Sequence, residues 1–521
     1  MTDTAGKPAI PAAGTADEGR TPADPFGPRL MAPLLIGSVL NPVNSTMIAT
    51  GLVAIGHDFG VGAARTAWLV ASLYLASAVA QPAMGRLADL LGPRRIFLSG
   101  LLVVCAAGLV GALAPAFGWL IASRVLLGIG TSAAYPAAMA LLRAQSFATG
   151  RETPRPVLGR LSLAALGSAA VGPVLGGVLT ATAGWRAIFA VNVPLALIGI
   201  ALALLWLPKT RITGTEDGAG SGERTADAAG ERTADAAGER AAGADGDRTA
   251  GAAGERAAGA AGERAAGAAF DPLGIALFTA TLTTLMIFLM DLARPNWALL
   301  PAVLVLAAVL TWWQLRRPRP FIDLRMIGRN RSLALTYLRH GTAYLVIYMV
   351  MYGYAQWLEE GHGYSASRAG LIMLPMSGAA AVCSLLGART KGIYAPLVLA
   401  AVLLAAGSGV LLLADESTPL VALLLAAVLF GLPQGLSSTG NQAAVYTQAP
   451  ATSVGAAAGL QRTSQYLGAI TAAGLIGLFY GQRATAAGLH GIAMVAGALS
   501  LGVLVLTATD RALRGRARTR T

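Results

Sequence analysis

The chain has 521 residues, of which 55% are apolar and only 12% charged, and its mean hydropathy is +0.61. Soluble globular proteins carry roughly 25% charged residues, so this composition excludes an ordinary soluble domain. The formal net charge of +13 does not indicate nucleic-acid binding, because the basic residues sit in short stretches between apolar runs and in the tail RALRGRARTRT.

Residues 1–29 are polar and rich in Pro and Ala. They lack a charged segment followed by an apolar core, so no cleaved signal peptide is expected, and they read as a disordered cytoplasmic N-terminus. Apolar runs of about 20 residues then recur, the length that crosses about 30 Å of hydrocarbon. They are too long and too continuously apolar for barrel strands, which leaves helices. Fourteen spans are expected, at about 30–52, 65–84, 96–114, 117–141, 157–181, 185–207, 271–291, 296–315, 333–357, 366–387, 394–414, 419–446, 453–480 and 485–508. The fold class is therefore an all-α integral membrane protein. Cys105 and Cys383 lie inside apolar runs and read as small buried hydrophobes.

Charge sets the expected orientation. With the N-terminus in the cytoplasm, the outward loops hold only Arg65, Arg186, Arg294, Arg368 and Arg483. The inward loops hold Arg86, Arg94, Arg95, Arg143, Arg151, Arg155 and Arg160, then the cluster from Arg316 to Arg331, then Arg389, Lys391 and the tail. Both termini are expected in the cytoplasm, and the protein in the cell membrane.

From Gly222 an octad recurs: GERTADAA, GERTADAA, GERAAGAD, GDRTAGAA, GERAAGAA, GERAAGAA. It has no large apolar residue, so it cannot offset its ordering entropy, and residues 209–270 read as a disordered linker. The expected division is 30–208 as one six-helix bundle, 271–315 as an extra two-helix hairpin, 316–332 as a basic connector, 333–508 as a second six-helix bundle, and 509–521 as a basic tail.

GRLADLLGPRR lies between the second and third spans, with Gly85, Asp89, Gly92, Arg94 and Arg95 in a short basic turn. RVLLGIGTSAA holds Arg124, and GPVLGG holds Gly172, Pro173, Gly176 and Gly177. Together with WLVASLYLASAVAQP, GWRAIFAVNVP, RPFIDLRMIGRNRS and GYSASRAGLIMLP, these stretches resemble the major facilitator superfamily over nearly all of 30–508. More narrowly, they resemble its fourteen-span drug:proton antiporter branch. The resemblance implies two bundles rocking about a midplane site, with the extra hairpin between them. No cofactor is expected. The expected partners are a small-molecule substrate, protons and the bilayer.

The resemblance makes Gly85, Asp89, Gly92, Arg94 and Arg95 a cytoplasmic gating element, with Asp89 in a charge latch. The alternative is that the Arg residues only anchor topology. Ser168, Gly172, Gly176 and Gly177, after Gly159, form a small-residue stripe at helical spacing that allows close helix approach, with a kink at Pro173. Arg124 lies about eight residues into its span, and an intramembrane charge marks an ion or substrate path by default. A structural bond to helix carbonyls is the rival reading. Arg339 with His340, and Arg462 with Gln461 and Gln465, are similar candidates on the ninth and thirteenth spans. Arg339 is close enough to its helix start to snorkel to the surface. His340 has an ordinary pKa of about 6.5, suited to carrying a proton, or it is a hydrogen-bonded structural residue.

The branch usually carries an acid in its first span; here NSTMIAT places Asn44 there. No Asp or Glu falls in the middle of any expected span. The expected cavity therefore offers Asn44, Tyr74, Arg339, His340, Gln434, Asn441, Arg462 and Gln465. Such a set favours neutral or anionic substrates over cations, which need buried carboxylates. The leading expectation is proton-coupled export of drugs or natural products by alternating access. The alternatives are uptake or exchange of an anionic metabolite, and a non-transporting membrane sensor or scaffold. No nucleophile–base constellation, metal cluster or nucleotide loop is present to suggest an enzyme.

Overall fold

The computed structural model is all-helical and describes residues 26–149, 155–207, 271–318, 320–387, 392–450 and 454–514. The octad segment, residues 1–25 and residues 515–521 lie outside the described residues. The first expected span, 30–52, is α1 (Pro28–Met47) with a 3₁₀ turn at Ile48–Thr50, after which the chain bends by 59° into α2 (Leu52–Phe59). The rest of the first half is α3 (Ala63–Leu91), α4 (Pro93–Ala112), α5 (Phe117–Thr149), α6 (Arg155–Ala183), α7 (Arg186–Ala190) and α8 (Asn192–Trp206). Gly92 has φ +93° and Pro93 opens α4, so the chain reverses within one residue of the end of α3.

The second half holds α9 (Pro272–Met290), α10 (Leu299–Arg316), α11 (Leu324–Arg329), α12 (Arg331–Glu360), α13 (Ala366–Gly387), α14 (Tyr394–Leu412), α15 (Leu420–Gln448), α16 (Val454–Tyr480), α17 (Ala486–Thr509) and α18 (Arg511–Arg514). A helix occupies every stretch expected to span. Among the described residues, ten helices are candidates by length and composition to cross a membrane, or eleven with the bent α1–α2 pair. The helices α6, α12 and α16 are not among these. In α12 and α16 the reason is polar content: Arg339 and His340 on one, and Gln461, Arg462 and Gln465 on the other, lower the hydropathy of helices that face the centre.

The two halves repeat one pairing pattern. In the first, α1 packs on α6, α3 and α4 pack on α5, and α4 packs on α8. In the second, α12 packs on α16, α13 and α14 pack on α15, and α14 packs on α17. The bundles meet along α6 with α13 and along α3 with α16, which are equivalent contacts under that correspondence. The α9–α10 hairpin joins this seam through α9, which packs on both α3 and α16. Asp271 ties down its start, accepting from Gly274 N, Trp313 Nε1 and Phe321 N.

Candidate functional site

The bundles are closed together at the face opposite the Gly85–Arg95 turn. Ala64 N donates to Gly481 O across the seam at 2.8 Å. The backbones are so close that a Cβ on Gly62 would stand 2.5 Å from Gln482 Cα. The 481–485 loop is in turn held by α12. Glu360 Oε2 accepts from Ala484 N at 2.5 Å, and Arg483 donates to Glu360 O at 3.2 Å. Beside it Glu359 has a sealed oxygen, Oε1, with no hydrogen-bond partner. Burial and the neighbouring Glu360 carboxylate hold the Glu359 pKa well above the usual carboxylate range.

The glycine stripe divides its work. Gly172 and Gly176 let α6 lie directly on Thr46 and Met47 of its own bundle, and Thr50 donates to Pro173 O at 3.1 Å. Gly177 instead faces the other bundle, where an added Cβ would stand 2.5 Å from Ala366 O. Gly370 on α13 returns the contact, 2.5 Å from Pro173 O by the same measure. At the basic turn, Arg94 donates to Leu204 O at 3.0 Å, and Arg86 donates to Pro320 O of the connector at 2.7 Å. Gly85 lies beside Pro136 and Arg95 is exposed. The side chain of Asp89 lies outside the described residues.

Arg124 is buried within the first bundle, where Nε donates to Leu69 O at 2.9 Å and Nη1 to Asn44 O at 3.0 Å, while Nη2 has no partner. Asn44 was expected in the cavity. It turns instead into its own bundle, donating to Leu40 O at 2.8 Å and to Asn192 Oδ1 at 2.6 Å. Arg339 and Asn441 also leave the expected cavity. Arg339 pairs with Asp510 at 3.2 Å and donates to Asn441 Oδ1 at 2.9 Å and Thr336 Oγ1 at 3.0 Å, all buried. This is an internal clamp of the second bundle. Its acid stands just past α17, where the sequence reads as a basic tail.

The centre is made by one face of α12. His340, Tyr344, Tyr348 and Tyr352 recur every four residues, so their rings stack along that face, 4.6, 5.7 and 6.0 Å apart between successive centroids. Tyr74 of the first bundle inserts between them, 5.1 Å from the Tyr348 ring and 5.6 Å from Tyr466. Three hydrogen bonds cross the seam here: Tyr74 to Tyr352 between hydroxyls at 3.0 Å, Tyr352 to Ser45 O at 2.6 Å, and Tyr466 to Gln81 Oε1 at 2.7 Å. Gln465 donates to Tyr348 at 2.7 Å and accepts a long 3.4 Å contact from Arg462. Tyr74, His340 and Gln465 thus lie around one tyrosine ladder. The tyrosine ladder was not among the expected residues, although its spacing is readable in HGTAYLVIYMVMYGY.

Arg462 is exposed, yet Tyr135, Tyr344, Tyr348 and Tyr466 all lie within electrostatic reach of its guanidinium. Its side chain is accessible on α16 although these tyrosines stand around it. Neither Arg462 nor Arg124 has an acidic partner among the described residues. Gln434 lines a narrow crevice with Thr46, Tyr344, Met376 and Ser438 that has only about 40 Å³ open to a water-sized molecule. The midplane is thus collapsed around the tyrosines.

Two like helical bundles, sealed at one face and meeting on a polar midplane plug, define a multi-pass membrane transporter. The chain belongs to the Major Facilitator Superfamily, which it matches over residues 34–473. It is 31% identical to YwoD of Bacillus subtilis, an uncharacterised transporter of this type, over 89% of this chain and 93% of that one. It is 26% identical to the multidrug resistance protein Stp of Mycobacterium tuberculosis, covering 84% and 72% of the two chains. It is also 26% identical to the tetracenomycin C resistance and export protein of Streptomyces glaucescens, covering 88% and 76%. The nucleoside transporter NupG shares its fold, with a TM-score of 0.60 at 11% identity over 92% of this chain and 99% of that one. A peptide transporter POT does so with a TM-score of 0.59 at 16% identity, over 92% and 94%.

Proposed function

We propose that this protein exports small organic molecules by alternating access, in a fourteen-span topology with both termini in the cytoplasm. The substrates are neutral or anionic, and the proton gradient drives the exchange. The observation that supports this most directly is Arg462, an accessible cation among tyrosines with no acidic partner among the described residues. A cationic substrate would meet repulsion there with nothing to offset it. The names of the Mycobacterium and Streptomyces relatives support export of drugs or natural products.

In the cycle, substrate enters from the side of the Gly85–Arg95 turn while the Ala64–Gly481 and Gly62–Gln482 contacts keep the opposite face shut. Opening that face requires breaking the tyrosine bonds at the seam and parting Gly177 from Ala366. Gly85, Asp89, Gly92, Arg94 and Arg95 act on this change as the cytoplasmic latch, and His340 and Asp89 are the candidate proton carriers. Inverted vesicles with an imposed pH gradient test the reading. Neutral and carboxylate compounds should accumulate and matched ammonium compounds should not, and Arg462→Ala should selectively reduce anion movement. Accumulation of quaternary-ammonium dyes in preference to anions would sink the substrate assignment. A second reading, exchange of an anionic metabolite, is favoured by the same Arg462, and it predicts anion movement that needs a counter-anion and no pH gradient.

A further inference from the structure

Resting on the transport reading above, the geometry points to a subsite for a flat aromatic anion, held by Arg462 between Tyr135 of the first bundle and Tyr446 of the second. Tyr135 is 47% exposed and Tyr446 55% exposed. Each lies within electrostatic reach of the other and of Arg462. Tyr135 stands on α5, which packs mainly on α3, α4 and α1, whereas Tyr446 and Arg462 stand on α15 and α16. Three accessible side chains from both bundles, two tyrosines and one guanidinium, therefore stand near one another.

That arrangement specifies its ligand. A guanidinium offers a planar fork of donors that fits a carboxylate or phenolate. The one internal hydrogen bond seen for Arg462 is the 3.4 Å contact to Gln465 Oε1, so its donors are largely uncommitted. Exposed tyrosine rings favour a flat ring stacked against them. A small aliphatic anion would satisfy Arg462 and leave the rings bare. A ring bearing an ammonium group would stack but be repelled. A bound anion would also draw Arg462 off Gln465, which holds Tyr348 in the midplane plug.

The test uses the full chain purified in detergent and three probes with one ring: 2-naphthoate, 2-naphthamide and 2-naphthylmethylammonium, measured by calorimetry. Naphthoate should bind about tenfold or more tighter than the amide, with the ammonium weakest, as expected for a charge-assisted hydrogen bond in a partly enclosed site. Arg462→Gln should bring naphthoate down to the level of the amide, and Arg462→Lys should retain part of the preference. Tyr135→Leu and Tyr446→Leu should each weaken naphthoate and amide alike by several-fold. Melting curves of each variant confirm folding. The ammonium binding as tightly as the carboxylate, or the preference surviving Arg462→Gln, would overturn the subsite. Carboxylate-selective binding without movement in vesicles would instead overturn the transport reading and leave the subsite standing.

Discussion

The hydroxyls of Tyr74 and Tyr352 meet at 3.0 Å across the seam between the two bundles, and Tyr352 also donates to Ser45 O at 2.6 Å. Both side chains are buried, so the pair joins the halves at the midplane, 278 residues apart in the chain.

Tyr352→Phe should loosen that joint. It leaves Ser45 O without this donor and Tyr74 without this hydroxyl, a cost of about 1–3 kcal/mol borne by the closed arrangement. The opposite face should then open more often. Spin labels at exposed Ala116 and Glu416, on loops of that face in the two bundles, should show a larger long-distance population than in the wild type. An unchanged distance distribution would mean that the hydroxyl does not hold the bundles together.

Arg339 and Asp510 should behave as a buried structural pair. Removing one partner strands the other in a site without water. Arg339→Leu should therefore lower unfolding stability in detergent by about 3–5 kcal/mol, with Asp510→Leu similar. The double variant should recover much of the loss, because it strands no charge. If Arg339→Leu were as stable as wild type but defective in transport, the cavity role expected from the sequence would be restored.

Much of this was legible in the chain, and the rest was hidden for identifiable reasons. The helices, the basic turn and the intramembrane arginines announce themselves through hydropathy and charge. The ladder from His340 to Tyr352 shows its four-residue spacing, but Tyr74 and Ser45 belong to another bundle, and nothing local names them. Asp510 falls just after the last apolar run, beside Arg511 and Arg514, and so reads as part of a basic tail although it folds inward. Asn44 reads from the sequence as a cavity residue, but helix rotation turns it to Asn192. The span count is blurred for a related reason: α12 and α16 carry the polar centre and are less apolar than helices that face lipid.

Gly177→Val should bias the protein toward opening at the same face. Its Cβ would press on Ala366 O, and backbone cannot move aside as a flexible side chain does. The Ala116–Glu416 label pair should report a wider separation, and transport should fall through impaired closure. Gly378→Ala on α13 is the matched control, because its Cβ would meet nothing within 4 Å. Equal effects from the two substitutions would show that the α6–α13 contact has no special part in closure.

Glu359 should make closure of this face depend on pH. It lies beyond the expected end of its span at 357, sealed beside Glu360, whose carboxylate grips the 481–485 loop. Arg483 is engaged with the Glu360 carbonyl, and His362 faces Thr418 O through Nε2. On α2, which also packs on α12, Asp58 is paired with Arg186 and His57 is its neighbour. The Glu359 pKa is raised, so its neutral form is the one the closed state prefers. Stability from this group is fully present below the ordinary glutamate pKa and is lost as pH rises through the raised value. The melting temperature should therefore fall as the pH rises above the ordinary glutamate range, and Glu359→Gln, which stays neutral, should flatten that fall. The label pair should widen over the same range in the wild type and not in the variant. An identical pH slope in both proteins would remove Glu359 from any part in holding the face shut.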